Sequence, residues 1–287
     1  MKLRPLAALA LVAVTLGACA DAQPSGSSSA PSPSRDTGSS ALVLRWGYEG
    51  GFTPPEFQLT NLPMFSLYGD GTIVRPGPQI EIYPGPALPA LEAVHVDDEG
   101  IDAIVDAAFE AGLDTVGDLT DTGSVGIADA PETLFTLRAD GVDRTVRVYA
   151  LNELEGQPPG MPDAEFAARQ ALLDLVERLR DPQAWLPEGS VGETTTFRPA
   201  GSRVLVSDYR GQADLPQPEI PWPLPTSLEG IGDELDAGFR CIVVKGSHWA
   251  DVLEPVARGA NQLTPWTSDG RTYALSFRPL LPDERTC

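Results

Sequence analysis

Apolar positions recur along this chain in two rhythms, and these divide it into strands and helices. Between residues 41 and 83 the runs Leu42-Val43-Leu44-Arg45-Trp46, Phe65-Ser66-Leu67-Tyr68 and Thr72-Ile73-Val74 are broken by glycine and proline and read as strands. Gly69-Asp70-Gly71 supplies the backbone freedom of a tight hairpin between the last two. From Asp97 the spacing becomes helical: Ile101, Ile104, Val105, Ala108 and Phe109 share one face, Asp97 or Asp98 caps the start and Gly112 stops the helix. Thr133–Leu137 and Thr145–Tyr149 then flank Asp140-Gly141 as a second hairpin. A longer helix from about Asp163 to Arg180 carries Ala168, Leu172, Leu175, Val176 and Leu179 on its apolar stripe. Glu165 with Arg169 and Asp174 with Arg178 are placed to support it as i,i+4 pairs.

After Asp181-Pro182 the order recurs. Strands are expected near Thr194–Phe197, Arg203–Ser207 and Phe239–Val244. A helix from Ser247 to Arg258, capped by Ser247, and a hairpin around Asp269-Gly270 follow. Both halves end as helix, strand, Asp-Gly turn, strand. The pattern predicts an α+β fold of mainly antiparallel sheets with inserted helices, compatible with two similar halves packed together, an N-terminal region 41–187 and a C-terminal region 188–287. The proline-rich stretch Leu215–Pro225 must be extended, and reads as a stiff strap whose Trp222 fills a gap in the core, the alternative being a ligand for a partner's aromatic groove.

The first residues follow neither rhythm. Lys2 and Arg4 precede an apolar run from Leu6 to Leu16 and then Gly17-Ala18-Cys19, the layout of an export signal. The run stops well short of the roughly 20 apolar residues that a membrane span needs. Leu16-Gly17-Ala18-Cys19 resembles the lipobox of bacterial lipoproteins, which implies a signal peptide over residues 1–18 and a lipidated Cys19. Ala18-Cys19-Ala20 also satisfies the small-residue rule for ordinary secretion, with cleavage before Asp21. Residues 19–40 are rich in Ser, Pro and Gly and are expected to form a disordered tether. This reading places the body at the outer face of the cytoplasmic membrane, with the membrane itself a partner through the lipid anchor.

Charge narrows the remaining partners. The 287 residues carry 41 acidic and 20 basic side chains, a formal charge of −21, which repels nucleic acid and anionic head groups. Apolar residues make up 42% of the chain, enough for a sizeable core. Of three cysteines, Cys19 is assigned to lipid, which leaves Cys241 and Cys287 to pair as a disulfide in an exported chain.

Catalytic chemistry finds little footing. The only histidines are His95 and His248, no G-x-S-x-G or completed phosphate loop occurs, and two isolated histidines do not make a zinc site. Asp-Thr-Gly-Ser occurs at Asp36 and at Asp121, as in aspartic proteases, but neither copy follows the apolar strand that would hold a rigid dyad. Asp114, Asp118, Asp121 and Asp129 form an acidic loop without the spacing of an EF-hand; it reads as solvated carboxylates, with calcium the lesser alternative, so no metal is assigned. No cofactor is called for. Aromatics crowd the first strands, and Gly50-Gly51-Phe52 is the candidate binding loop, since a Gly-Gly pair flanked by prolines is poorly suited to a buried strand; the equal alternative is a plain connecting loop with Phe52 tucked inward. The expected role is a non-enzymatic binding or interaction module of the cell envelope, its partner an envelope protein or a small ligand. The alternatives are a hydrolase of unrecognised type and a structural surface protein.

The phrases Leu62-Pro63-Met64-Phe65-Ser66-Leu67-Tyr68-Gly69-Asp70-Gly71, Ile80-Glu81-Ile82-Tyr83-Pro84-Gly85-Pro86-Ala87-Leu88 and Arg278-Pro279-Leu280-Leu281-Pro282 together look like uncharacterised secreted lipoproteins of high-GC Gram-positive bacteria. The resemblance implies export and continuity of fold, and brings no activity, ligand or catalytic residue. The anchoring expectation has a direct test: Cys19→Ser should move the protein from the membrane fraction to the medium or leave it unprocessed. Fractionation that shows the variant still on membranes would sink it.

Overall fold

Alternating runs pair because each strand can bury one face, and the computed structural model, which describes residues 35–154 and 156–287, gathers them into two sheets. Cys19, the expected signal peptide and most of the expected tether lie outside the described residues. Seven strands form the first sheet: β1 (Leu42–Gly50), β2 (Phe65–Tyr68), β3 (Thr72–Pro76), β4 (Leu91–His95), β5 (Pro131–Ala139), β6 (Val142–Tyr149) and β7 (Thr195–Thr196). Their order is β6-β5-β1-β2-β3-β4-β7 and every pairing is antiparallel. The second sheet comprises β8 (Gly201–Asp208), β9 (Ile220–Pro221), β10 (Asp233–Glu234), β11 (Arg240–Lys245), β12 (Pro265–Ser268) and β13 (Arg271–Pro279). Its order is β10-β11-β8-β13-β12-β9, antiparallel except for the short β12/β9 pair. This is the expected α+β architecture.

Helices cover one face of the first sheet. α1 (Pro55–Thr60) is short and buries nothing, whereas α2 (Asp98–Glu110) and α3 (Asp163–Arg180) lay their apolar stripes on the sheet. Ile101, Ile104 and Val105 of α2 and Leu172, Leu175 and Val176 of α3 share one core with Leu44, Trp46 and Phe135. Asp97 caps α2 by accepting the Gly100 N–H at 2.8 Å, and Gly112, at φ 81°, ends it. The second sheet builds its own core from Val204, Val206 and Phe277 with Trp249 and Trp266. Trp222 of the proline strap belongs to it, edge-on to Trp266 at 6.4 Å, as the strap reading expected. A smaller cluster of Leu42, Tyr68, Val74 and Leu281 joins material of the first sheet to the chain beyond β13.

Asp-Gly pairs turn both predicted hairpins, with Asp140 and Asp269 each at φ 51° and Gly141 and Gly270 at 80° and 77°, the two positive angles that a tight two-residue turn requires. Cys241 and Cys287 are bonded, their Cα atoms 6.0 Å apart, and close a sequence separation of 46 residues. Such a crosslink removes unfolded-state entropy worth roughly 4 kcal/mol.

Several expectations require correction. The stretch 41–83 is not strands alone, because α1 interrupts it. With no buried side chain and a proline at its first position, α1 carries no apolar period to reveal it. β4 was also unread, its five residues burying only two side chains deeply. Arg35 to Ser40 are not tether: Arg35 pairs with Asp98 and Asp102 of α2, and Asp36 packs on Gly69. The boundary at 187/188 falls too early, since β7 completes the first sheet against β4 and Leu186 and Val191 pack into its core. Ser247 makes no side-chain cap, and the expected helix there opens as a wider π turn over His248–Leu253 before α4 (Glu254–Arg258), with Trp249 buried. The expected i,i+4 pair of Glu165 with Arg169 does form, at 3.4 Å, but Arg169 has a second role that the spacing does not show. It is 2% exposed and donates to the carbonyls of Tyr149, Leu119 and Asp121, since a buried guanidinium must find acceptors.

The two glycines of the β2/β3 turn serve different needs. Gly69 leaves room for the Asp36 carbonyl, and Gly71 sits at φ 85° where a Cβ would stand 2.0 Å from the Val96 carbonyl oxygen. Gly71→Ala should therefore cost about 2 kcal/mol or more, visible as a lower melting temperature in calorimetry, because strain and overlap add. A melting temperature within a degree of wild type would refute it.

Candidate binding cleft between the two sheets

The face of the first sheet turned away from α2 and α3 is polar, and the pleat shows why. Arg45, Gly47 and Glu49 alternate on β1, facing Thr136, Leu134 and Glu132 of β5, with Thr145 and Arg147 of β6 in the next row. Across from this face, β8 and β13 place Arg203 directly opposite Arg278. Two like charges at such a register destabilise a sheet unless something stands between them. Glu284 does: its carboxylate accepts two Arg278 N–H bonds at 2.6 and 2.8 Å and lies 3.5 Å from Arg203. The neighbouring Asp283 accepts from Arg45 at 2.7 Å and from the Tyr68 hydroxyl at 2.8 Å. The two carboxylates after β13 thus tie β8 and β13 of one sheet to β1 and β2 of the other.

Between these faces lies a cleft of about 920 Å³. Arg45 and Arg147 line one wall, Arg203, Arg278 and Glu284 the other, and α1 with the segment 57–63 closes one side. Asn61 helps fix that side, its carbonyl accepting Arg278 Nε–H at 2.8 Å. Glu56 of α1 accepts a hydrogen bond from Ser276 of β13. Next to the cleft, with Phe57 as the shared wall, an open groove of about 600 Å³ is lined by Ile80, Ile82 and Tyr83.

Burial and charge oppose each other inside the cluster. Burial alone would raise the Asp283 carboxyl, yet its hydrogen bond to the Arg45 guanidinium prevails and holds it below the usual carboxylate range. Glu284 is held low in the same way, burial being outweighed by Arg278. Burial pushes the Tyr68 hydroxyl far above the ordinary phenol range, so it stays a neutral donor. Burial, then the neighbouring Arg278, push the Arg203 guanidinium down.

The residues singled out in the sequence distribute unevenly around this cleft. Gly50 lines it, at φ 70°, and Gly51 follows at 78°. Phe52 is 89% exposed at its flank, its N–H bonded to the Asp129 carbonyl at 3.1 Å. Of the acidic loop, Asp118 accepts the Arg147 N–H at 2.9 Å, Asp121 accepts the Gly123 N–H at 2.8 Å, and the Asp114 carbonyl accepts from Arg144. Among the described residues no three His, Cys, Asp or Glu side chains converge as a metal would need. Asp36 repeats the Asp121 turn with the Gly38 N–H at 2.9 Å. The two copies of the protease-like motif sit in separate places, one on Gly69 and one against Arg169 of α3. His95 ends β4 and His248 opens the π turn before α4, both exposed and in different parts of the fold. Sequence reasoning missed Arg203, Arg278, Asp283 and Glu284. The only available signal was that two acids stand five and six residues after an arginine whose side chain points from a core strand.

Comparison with protein-family models, with curated proteins and with solved structures found no match.

The depressed carboxyls fix a pH dependence. Folding makes both groups harder to protonate, so their stabilisation is complete above about pH 5 and is lost as the pH falls through about 4 and below. Glu284→Gln removes one of them. The gap in melting temperature between wild type and this variant should be wide at pH 6 and should narrow towards pH 3. A gap independent of pH would contradict the ion-pair account.

Proposed function

We propose that this chain is an exported lipoprotein, acylated at Cys19, that holds its body at the outer face of the cytoplasmic membrane and works there as a non-enzymatic binding module, with the inter-sheet cleft and its apolar groove as the binding face. One observation carries the reading. Phe57, Ile80, Ile82 and Tyr83 are 55–64% exposed around a single groove, in a body that buries most of its other large apolar side chains. Gathered exposure of this kind costs solvation unless a partner covers it. The rest of the cleft suits recognition: polar groups converge on its floor, and its volume is that of an ordinary ligand site. Among the described residues no helix is long and apolar enough to cross a membrane.

A photoreactive residue placed at Phe57, at Tyr83 and, as a control, at the exposed Asp106 of α2 tests it in cells producing the lipidated protein. Discrete adducts from the first two positions and none from the third are expected. Equal labelling from all three, or none at all, would refute the assignment of the binding face.

A further inference from the structure

The floor of the cleft carries a local charge imbalance. Among the described residues, Arg45, Arg203 and Arg278 pair there only with Asp283 and Glu284, three positive groups against two negative, with Tyr68 neutral beside them, while Arg147 elsewhere in the lining is matched by its own acids, Glu49 and Glu132. Arg278 is fully occupied, bidentate to Glu284 and bonded through Nε to Asn61. Arg203 is not. Its Nε donates to the Thr286 carbonyl at 2.8 Å and one terminal nitrogen stands 3.5 Å from a carboxylate already shared with Arg278. A half-buried guanidinium with most of its five N–H groups uncommitted, pressed against another arginine, has its charge incompletely matched. A carboxylate is the group whose two oxygens fit that fork.

Apolar surface lies within reach of this floor. Phe57, Leu59 and Leu134 line the same cleft, and Phe57 is the wall through which it meets the groove of Ile80, Ile82 and Tyr83. We infer that the cleft binds an amphiphilic monoanion, its carboxylate on Arg203 and Arg45 and its hydrocarbon body along Phe57 into the apolar groove. One unit of excess positive charge selects a single negative charge, and the adjoining apolar wall selects a chain rather than a bare ion. The overall charge of −21 slows the approach of such a ligand but does not prevent binding, because surface charges beyond about 8–10 Å are screened at physiological salt while the floor is not.

The inference rests on the cleft being the binding site and adds the ligand class. The test uses the full chain carrying Cys19→Ser, which has no acyl groups of its own to compete, titrated calorimetrically with decanoate below its micelle concentration. Saturable binding to one site is expected, with binding of methyl decanoate, the same chain without charge, at least about tenfold weaker. Arg203→Met should weaken decanoate about tenfold or more, while Lys245→Met, a cation outside the cleft, leaves it unchanged. The ester comparison decides the matter even if the Arg203 variant folds poorly. Equal affinity for acid and ester, or no decanoate binding, overturns the ligand class. If photocrosslinking from Phe57 and Tyr83 persists in that case, the binding face stands and only its ligand is wrong.

Discussion

Two consecutive carboxylates, Asp283 and Glu284, hold this body together at the place where its sheets would otherwise repel. Each sheet presents arginine to the other, and a close approach of Arg45, Arg203 and Arg278 is tolerable only because the chain returns after β13 to put acid among them. Removing one partner from a buried ion network of this kind typically costs 3–5 kcal/mol, since the remaining charge is stranded. The disulfide from Cys287 to Cys241 fixes the segment three residues further on and keeps the acids in register with the arginines.

That clamp also explains why a cleft exists. Sheets that meet through apolar faces close on one another to native packing density, leaving no room for a ligand. Here the apolar faces are turned outward, to α2 and α3 on one side and to the Trp249 and Trp266 core on the other. The faces that meet are polar, held by a few long side chains and by a small cluster around Tyr68 and Leu281. A gap between such faces is stable because its charged lining needs partners rather than close packing.

The Gly50-Gly51-Phe52 loop and α1 gain their meaning from the same arrangement. Both lie where β1 leaves the first sheet, and α1 reaches β13 through Glu56 and Ser276, so the connection that closes the cleft belongs to one sheet and touches the other. Phe57 and Phe52 remain outside because α1 has no stripe to bury. A short helix of this kind is held by its ends and by Asn61 rather than by a core.

Local chemistry was legible in the sequence wherever a single residue or short period determines the backbone. The Asp-Gly turns, the Asp97 cap, the Gly112 stop, the stripes of α2 and α3 and the pairing of Cys241 with Cys287 follow from φ preference, hydrogen-bond supply, helical spacing and the cysteine count. What periodicity could not reach were segments with nothing to bury, α1 above all, and charges whose role depends on partners far along the chain. Arg169 read only as the i,i+4 partner of Glu165, a pair that forms, and Arg203 and Arg278 carried no signal of a role. Only the tertiary structure decided that one donates to three carbonyls from inside the core and that the others face each other on neighbouring strands of one cleft wall, because charge and burial are set by partners the local pattern does not contain, from the 20 residues between Arg169 and Tyr149 to the 238 between Arg45 and Asp283.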